Sequence, residues 1–297
     1  MYLDWTGKGT TAEGESIKAR HWLGAAAAAA AAAAVDAFAI EPGRVDVTRH
    51  DLRVAGLPRS LDGLTIAHVT DVHLPRSIDA AQRTLELVAQ ERPDVVLLGG
   101  DLAEGAGAAP ALAAFVRGVR GAIATAAVLG NWEYASGLGL RRARAAYRQA
   151  GVPLLVNASE TVTVGDSRLA IVGVDDLIWG APDLRRASAG THSADVRIWL
   201  VHEPVLVDRV PRGVELPDLV LAGHTHGGQV RLPPLGHIVV PPGTGRYVKG
   251  WFRDTAAPLY VSRGIGASGL NVRFCCRPEL PIFTLRRRDD HTAPASV

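Results

Sequence analysis

The sequence predicts an α/β fold, with one domain built on two packed sheets. In the first half, short apolar runs rich in β-branched residues alternate with segments of helical spacing, which favours parallel βαβ units. In the second half, short strands continue but fewer helices separate them. No linker rich in glycine, serine or proline divides the chain after residue 45, so we expect a single domain there.

The elements of the first half follow from their periodicity. VDVTRHDLRV (45–54) alternates and predicts a strand. SIDAAQRTLELVAQE (77–91) has helical spacing, with Ser77 as its predicted N-cap. The other elements are strands over 64–70, 94–100 and 122–130, a helix over 108–119, and a basic amphipathic helix over 139–150.

The second half predicts a series of short strands. Their sequences are PLLVN (153–157), ETVTVGD (160–166), RLAIVGV (168–174), VRIWLVH (196–202), DLVLAG (218–223), GQVRLPPLGHIVVP (228–241), PLYVSRG (258–264) and PIFTLRRR (281–288). The last of these is expected to close a sheet.

Composition excludes some classes of partner and framework. The chain has 297 residues, and its 32 basic and 30 acidic residues leave a net charge of +2, so no field of one sign indicates nucleic-acid binding. The two cysteines, Cys275 and Cys276, are adjacent and cannot form a disulfide framework.

The N-terminal region predicts a targeting segment. Residues 1–21 are polar, and basic residues precede an alanine-rich apolar run over 22–40 that is about long enough to span a bilayer. This pattern indicates a signal or a membrane anchor with the N-terminus inside; the alternative is an alanine-rich helix or a disordered leader. The predicted organisation is a leader and anchor over 1–44, a domain over 45–288 and a disordered tail over 289–297.

Five apolar strands end in polar residues that can bind metal. Because ligands bind where parallel strands end, five such ends on one sheet would converge. Buried together, these side chains would need a cationic partner, and divalent metals bind carboxylates and imidazoles. The residues are Asp71, His73, Asp101, Asn131, His202, His224 and His226.

The series D-x-H, G-D, G-N, H and G-H-x-H, in this order between about residues 63 and 286, resembles the calcineurin-like metallophosphoesterase superfamily. GHTHGGQV, YVSRGIG and CRPEL resemble its bacterial membrane-associated branch. That branch includes phosphodiesterases, UDP-diacylglucosamine pyrophosphatases and enzymes that act on phospholipid-like substrates. The resemblance implies a four-layer α/β/β/α sandwich of two mixed sheets flanked by helices. It also implies a membrane-associated protein at the inner membrane or on the periplasmic side of a bacterium.

The resemblance further implies a centre of two divalent ions, manganese, iron or zinc. Asp71, His73 and His226 would hold the first ion, Asp101 would bridge both, and the second ion would be held by Asn131, His202 and His224. The implied reaction is hydrolysis of a phosphodiester or pyrophosphate bond by hydroxide held between the ions, and lipid-linked substrates are among those the resemblance implies. By that pattern Asn131, Trp132 and His202 are the candidate catalytic residues.

Trp132 departs from the family pattern, which usually has a histidine that protonates the leaving group. Indole donates a hydrogen bond but is no acid. Three accounts stay open. The substrate has a good leaving group, or His237 or Glu133 supplies the proton, or the protein binds metal and phosphate and turns over slowly as a regulatory or binding protein.

Several other side chains have two readings. His68 points away from Asp71 in a regular strand and is expected to be a hydrogen-bonded core histidine. Arg263 faces either phosphate or a carboxylate. Trp132, Tyr134 and Trp179 form either an apolar rim that suits an acyl chain or ordinary packing.

Overall fold

The computed structural model describes residues 12–288; the predicted tail and the first part of the predicted leader lie outside this range. The helices are α1 (Ala12–Val35), α2 (Ile78–Glu91), α3 (Ala109–Gly118), α4 (Asn131–Ala135), α5 (Leu140–Ala150) and α6 (Leu184–Ala187). The strands are β1 (Asp46–Val54), β2 (Thr65–Val69), β3 (Val95–Leu98), β4 (Ala124–Ala127), β5 (Ala158–Val164), β6 (Ser167–Gly173), β7 (Val196–Leu200), β8 (Leu219–Ala222), β9 (Arg231–Leu232), β10 (Gly236–His237), β11 (Gly250–Phe252), β12 (Leu259–Val261) and β13 (Glu279–Arg287).

The first sheet has five strands in the order β1-β13-β2-β3-β4. Strands β2, β3 and β4 are parallel because α2 and α3 return the chain to the same end of the sheet each time. Strand β13 pairs antiparallel with β2 and parallel with β1. The carboxyl ends of β2, β3 and β4 therefore lie side by side.

The second sheet has six strands in the order β11-β12-β8-β7-β6-β5. Its four central strands are parallel, and an antiparallel strand closes each side. The β5–β6 hairpin turns through two residues, and Gly165 adopts a φ of 60°, as such tight turns require. The carboxyl ends of β7 and β8 lie side by side, as do the carboxyl ends of β2, β3 and β4 in the first sheet.

The two sheets pack face to face through alternate residues of their strands. On β3, Val95 and Leu97 face the second sheet, whereas Val96 and Leu98 face the helices α2, α3 and α5. Both faces are apolar, as expected for strands buried on both sides.

The outer face of the second sheet has a thinner cover. Trp199 of β7 packs there against Leu184 of α6, Leu206 of the short turn Pro204–Arg209, and Tyr247. The architecture is thus α/β/β/α, with two mixed sheets flanked by helices, which confirms the predicted fold class.

Three local predictions differ from the structure. Residues 153–157 form a single bridge from Leu154 to Ala127 instead of a strand. Ser77 precedes α2, but its hydroxyl accepts a hydrogen bond from the backbone N–H of Ala267 instead of capping the helix. Residues 228–241 form only the two-residue strands β9 and β10 and a single bridge from Val230 to Phe274.

The N-terminal helix leads into two short turns that dock on the domain. Within Arg20–Gly43, an 18-residue window has a mean hydropathy of 1.8, so this stretch is long and apolar enough to cross a membrane, and 6% of that window is buried within the described structure. At the base of this helix, the carbonyl of Ala37 accepts a hydrogen bond of 2.9 Å from the N–H of Arg273. The carboxylate of Glu41 accepts hydrogen bonds from the N–H groups of Cys275 and Cys276. We call residues 36–43 the helix root.

Candidate metal centre

The structure brings all seven predicted ligand residues together, but it does so from both sheets. Asp71, Asp101 and Asn131 follow β2, β3 and β4 of the first sheet, whereas His202 and His224 follow β7 and β8 of the second. The expectation that one sheet supplies every strand end was therefore wrong. The two sheets are stacked with these ends at the same edge, so the centre lies across both.

The first cluster consists of Asp71, His73 and His226. All three are buried, and their candidate ligand atoms lie within 4.8 Å of one another. The Nε2 atoms of His73 and His226 are 3.0 Å apart, and Oδ1 of Asp71 lies 3.6 Å from Nε2 of His226. Two imidazole nitrogens and a carboxylate oxygen thus point at one place.

The second cluster consists of Asp101, His202 and His224, whose candidate ligand atoms also lie within 4.8 Å of one another. Nε2 of His202 lies 3.1 Å from Oδ2 of Asp101 and 3.2 Å from Nδ1 of His224. Oδ1 of Asn131 approaches the same two nitrogens at 3.2 and 3.0 Å. The amide oxygen of Asn131 therefore belongs to this cluster.

Three of the four histidines have their outer ring nitrogen on an acceptor. Nδ1 of His202 lies 2.8 Å from the carbonyl of Gly99, and Nε2 of His224 lies 2.6 Å from that of Pro242. Nδ1 of His73 lies 3.4 Å from the carboxylate of Glu104. These acceptors hold the proton on the outer nitrogen, so that each inner nitrogen presents a lone pair to its cluster.

His226 is the exception, because a cation lies behind it. Nη2 of Arg273 is 3.4 Å from Nδ1 of His226, and this arginine is fully buried. Its guanidinium donates to the carbonyls of Arg263, Gly264, Gly266 and Cys276. It thereby ties the loop after β12 to the turn that carries His226. Sequence reasoning missed this residue, because a single arginine in a short loop is usually solvated.

The backbone around the clusters is unusual. Five of the seven residues have φ between 51° and 71°, in the left-handed region that non-glycine residues rarely adopt: Asp71, His73, Asp101, His224 and His226. Such conformations persist only where surrounding contacts hold them, and they concentrate at functional sites.

Two glycines allow the ligand residues to approach the neighbouring backbone. A Cβ at Gly130 would lie 2.4 Å from Oδ1 of Asp101, and a Cβ at Gly223 would lie 2.3 Å from Oδ2 of Asp71. Each glycine therefore leaves room for a carboxylate from the adjacent strand end.

Glu133 holds the second cluster from behind. Its buried carboxylate accepts hydrogen bonds from the N–H groups of Gly130, Asp101, Leu102 and Ala103, at 2.7 to 3.3 Å. Burial, and then the charge of Asp101, raise the pKa of Glu133 to about 7. Because these oxygens face the backbone, Glu133 cannot protonate a leaving group in the cleft, and this alternative from the sequence is excluded.

Trp132 forms part of the wall beside the centre. Its ring meets that of His73 edge to face, with centroids 5.9 Å apart, and its backbone N–H donates to Oδ1 of Asp101 at 2.7 Å. It lines a cleft of about 450 Å³ that contains residues of both clusters and an apolar wall of Ile238, Val239, Val240 and Pro241. Sequence reasoning missed this wall, since its apolar run predicts a buried strand.

The other predicted candidates lie away from the cleft lining. Tyr134 donates its hydroxyl to Asp175 at 2.5 Å, and Trp179 is exposed. An aromatic rim of three residues is therefore not formed, and Trp132 alone lines the cleft. His237 is exposed and its Cβ packs over Gly228.

The structure shows the surroundings of two residues, Arg263 and His68, for which the sequence allowed two interpretations. Arg263 pairs with Glu279 at 3.2 Å and with Asp46 at 3.6 Å, which favours the ion-pair alternative. His68 is fully buried, but neither ring nitrogen has a hydrogen-bond partner among the described residues. The expectation of a hydrogen-bonded core histidine was therefore wrong, and burial lowers the pKa of His68 to about 4.

The donor set fits divalent cations. Burial lowers the pKa of His224 and His226, so both rings are neutral near pH 7 and offer lone pairs. Burial alone would lower the pKa of His202, but the charge of Asp101 raises it well above the ordinary value. Without a cation, a proton therefore lies between His202 and Asp101. Imidazole nitrogens and carboxylate oxygens that converge in each cluster are ordinary ligands of divalent cations.

Comparison with known proteins agrees with this geometry. A model of the calcineurin-like phosphoesterase family matches residues 64–228. The uncharacterized metallophosphoesterase YkuE of Bacillus subtilis is 28% identical over 254 residues, which are 83% of this chain and 87% of YkuE. The phosphodiesterase YaeI of Escherichia coli is 29% identical over 250 residues, which are 82% of this chain and 90% of YaeI.

One relative carries a membrane protein's name. A transmembrane protein with metallophosphoesterase domain from Bos taurus is 26% identical over 257 residues, which are 81% of this chain and 57% of that protein. The family model covers more than half of the chain and includes the residues of both clusters. The chain therefore belongs to the calcineurin-like phosphoesterase family and is a metal-dependent phosphoric ester hydrolase.

Proposed function

We propose that the protein hydrolyses a phosphodiester or pyrophosphate bond with two divalent cations, manganese, iron or zinc. Asp71, His73 and His226 would hold one cation, and Asn131, His202 and His224 the other, with Asp101 between them. Two cations in such a site neutralise charge on the phosphoryl group and activate water. The name of YaeI, a phosphodiesterase, supports this reaction class.

The observation that carries the choice of bond is the position of Trp132. This residue occupies the cleft wall beside His73, and Glu133 is fully engaged with the backbone. No acid from these two positions reaches a leaving group. A substrate whose leaving group departs without protonation suits this cleft, as an activated diester or a pyrophosphate does.

We further propose that the substrate is lipid-linked and that residues 22–40 attach the protein to a membrane. The apolar wall formed by Ile238, Val239, Val240 and Pro241 suits an acyl chain beside the phosphoryl site. The apolar helix over Arg20–Gly43 and the name of the Bos taurus relative support membrane association. Location at the inner membrane or on the periplasmic side of a bacterium belongs to the same proposal.

A second candidate is a metal-binding regulatory protein with weak catalysis, which the tryptophan at position 132 favours. A site that loses catalysis also tends to lose ligands over time, yet all seven residues are present and converge. The complete ligand set therefore favours the enzyme.

The deciding experiment is hydrolysis of bis-p-nitrophenyl phosphate by the full chain in detergent, with manganese and after chelation. We expect metal-dependent hydrolysis that falls on the order of 10³-fold in Asp101→Asn. Asp79→Asn, on the exposed side of α2, is the matched control and should retain activity.

A lipid pyrophosphate in mixed micelles then tests the substrate class. We expect a higher kcat/KM for it than for a water-soluble pyrophosphate of the same head group. Two bound metal ions per chain without hydrolysis of any diester or pyrophosphate would establish the regulatory candidate instead.

A further inference from the structure

Four exposed apolar side chains surround the mouth of the cleft. Ile238 and Val239 line the cleft, and Leu235 lies at the tip of the β9–β10 hairpin. Leu270 lies in a neighbouring loop, where its carbonyl accepts a hydrogen bond of 3.2 Å from the side-chain amide of Gln229. We call these four residues the mouth rim. Their exposed fractions are 60% for Ile238, 73% for Val239, 82% for Leu235 and 69% for Leu270. So much apolar surface in one place indicates a binding surface.

The mouth rim is joined to the helix root by one segment of chain, residues 273–276. On one side this segment bonds to the root, through Ala37 and Glu41. On the other side Phe274 donates to the carbonyl of Gln229 at 3.1 Å, and its own carbonyl accepts from Arg231 of β9 at 2.9 Å. The apolar helix and the hairpin of the mouth rim therefore arise from adjacent positions on the domain.

The helix root and the end of the helix also carry exposed apolar residues. Val35 and Phe38 are more than half exposed, and Ile40 is exposed as well. A helix that crosses a bilayer places its last residues at the interface, where such side chains are buried in lipid. The segment next to the helix root must then lie close to the same interface.

Basic residues accompany the mouth rim. Residues 219–253 and 261–278 supply the hairpin, the cleft loops and segment 273–276, and neither stretch contains an aspartate or glutamate. Of their seven basic residues, Arg273 is buried, and Arg246, Arg263 and Arg277 pair with carboxylates outside these stretches. Arg231 of β9 lies in the hairpin itself, and the exposed Lys249 follows Val248, whose carbonyl accepts a hydrogen bond of 2.6 Å from the cleft residue Thr225. An apolar tip next to basic residues is the composition of surfaces that bind anionic lipid.

We propose that the mouth rim inserts into the headgroup region of an anionic bilayer, on the side from which the N-terminal helix enters it. The cleft then opens onto the membrane, and a lipid-linked phosphoester reaches the metal centre without leaving the bilayer. This inference rests on the proposed membrane association and lipid-linked substrate, and it adds the surface through which the lipid enters.

The test places an environment-sensitive nitrobenzoxadiazole probe on the mouth rim. Leu235→Cys is labelled in the full chain with Cys275→Ser, since Cys275 is exposed and Cys276 is buried. The protein is reconstituted into vesicles of phosphatidylglycerol and phosphatidylcholine in equal parts. The matched control is Leu216→Cys, 46% exposed, which precedes β8 and so lies at the end of this strand opposite to His224.

We expect the probe at position 235 to shift to shorter emission wavelength and to be quenched by a doxyl-labelled lipid, while the probe at position 216 stays accessible to aqueous iodide. Quenching by iodide alone at position 235 would overturn the proposal. Lipid quenching at both positions would also overturn it, because adsorption would then be unspecific. Shielding that grows with the number of protein molecules per vesicle would identify a second copy of the chain as the occupant and would overturn it as well.

A kinetic variant separates this inference from the proposed function. Leu235→Asp lies outside the cleft lining, so hydrolysis of bis-p-nitrophenyl phosphate should be unchanged. Hydrolysis of a vesicle-borne lipid substrate should fall about tenfold, the effect of no longer burying one leucine. The fluorescence readout needs no turnover, so an inactive protein with a lipid-quenched probe contradicts the proposed function alone.

Discussion

The carboxylate of Glu133 accepts a hydrogen bond of 2.9 Å from the backbone N–H of Asp101. It accepts another of 2.9 Å from the N–H of Gly130, so one side chain holds the loops that carry Asp101 and Asn131. In Glu133→Gln the amide NH₂ would face backbone donors. We expect a loss of at least about 2 kcal/mol in the free energy of unfolding, and a 10- to 100-fold loss of activity, roughly the effect of losing a residue that orients metal ligands.

Urea denaturation and diester hydrolysis measure the two effects of Glu133→Gln. Glu160→Gln, on an exposed position of β5, is the control and should change neither. Unchanged stability in Glu133→Gln would contradict the role of this carboxylate as the support of both loops.

Arg273 supports the first cluster in a comparable way. Arg273→Met would leave the carbonyls of Gly264, Gly266 and Cys276 without their donor. We expect a loss of at least about 2 kcal/mol in the free energy of unfolding, because buried acceptors would be left unpaired. We also expect weaker metal binding at the cluster that contains His226. Calorimetric metal titration should show one weakened site, whereas Arg277→Met, on an exposed neighbour, should bind as the wild type does. Equal weakening of both sites would argue against a local effect.

Trp132 limits the choice of leaving group. In Trp132→His an imidazole would replace the indole beside His73 and could protonate a departing alkoxide. We expect hydrolysis of diesters with alkyl leaving groups to rise about 10²-fold, the lower range for a positioned acid, while p-nitrophenyl esters change little. Trp179→His, at an exposed position outside the cleft, should leave the ratio of the two rates unaltered. A parallel rise for both ester types would show that the indole blocks access instead.

His68 predicts a pH dependence of stability. Its pKa is about 4 in the folded protein and 6.5 in an exposed histidine, so between these values the unfolded chain binds the proton that the folded protein does not. Stability therefore falls as the pH drops from 6.5 to 4, by on the order of 3 kcal/mol from this residue. In His68→Leu this part of the slope should disappear.

Urea unfolding without added metal, at both ends of this pH window, checks the contribution of His68. The difference between wild type and variant isolates this residue from the other histidines. His192→Gln, an exposed histidine, should keep the wild-type slope. An identical slope in His68→Leu and the wild type would show that His68 does not resist protonation.

The ligand residues could be predicted from the sequence because each is a metal-binding side chain directly after an apolar run. Their distribution over two sheets could not, since periodicity reports which residues are buried and not which strands pair. The pairing of Asp46 with Glu279 joins opposite ends of the domain, and no local pattern encodes it. The α/β class followed from alternation alone.

The supporting residues escaped prediction for a different reason. Glu133 and Arg273 are charged, and charged residues are usually solvated, so only the closed structure shows which backbone groups they meet. The wall over Ile238–Pro241 escaped because exposed apolar residues in a loop have the same composition as a buried strand. In both cases the type of residue was taken to indicate whether it is buried: the charged residues were expected at the surface and the apolar residues in the core.

The position of β13 has a consequence for biosynthesis. This strand lies between β1 and β2, so the first sheet stays open until the ribosome has delivered residues 279–287. The loops after β2 and β3 are synthesised long before the strand that closes their sheet. Glu41 of the helix root likewise gains its hydrogen-bond donors only when Cys275 and Cys276 have been synthesised. The apolar helix is therefore synthesised before the segment that holds its root, and the root docks only when nearly all of the domain has been made.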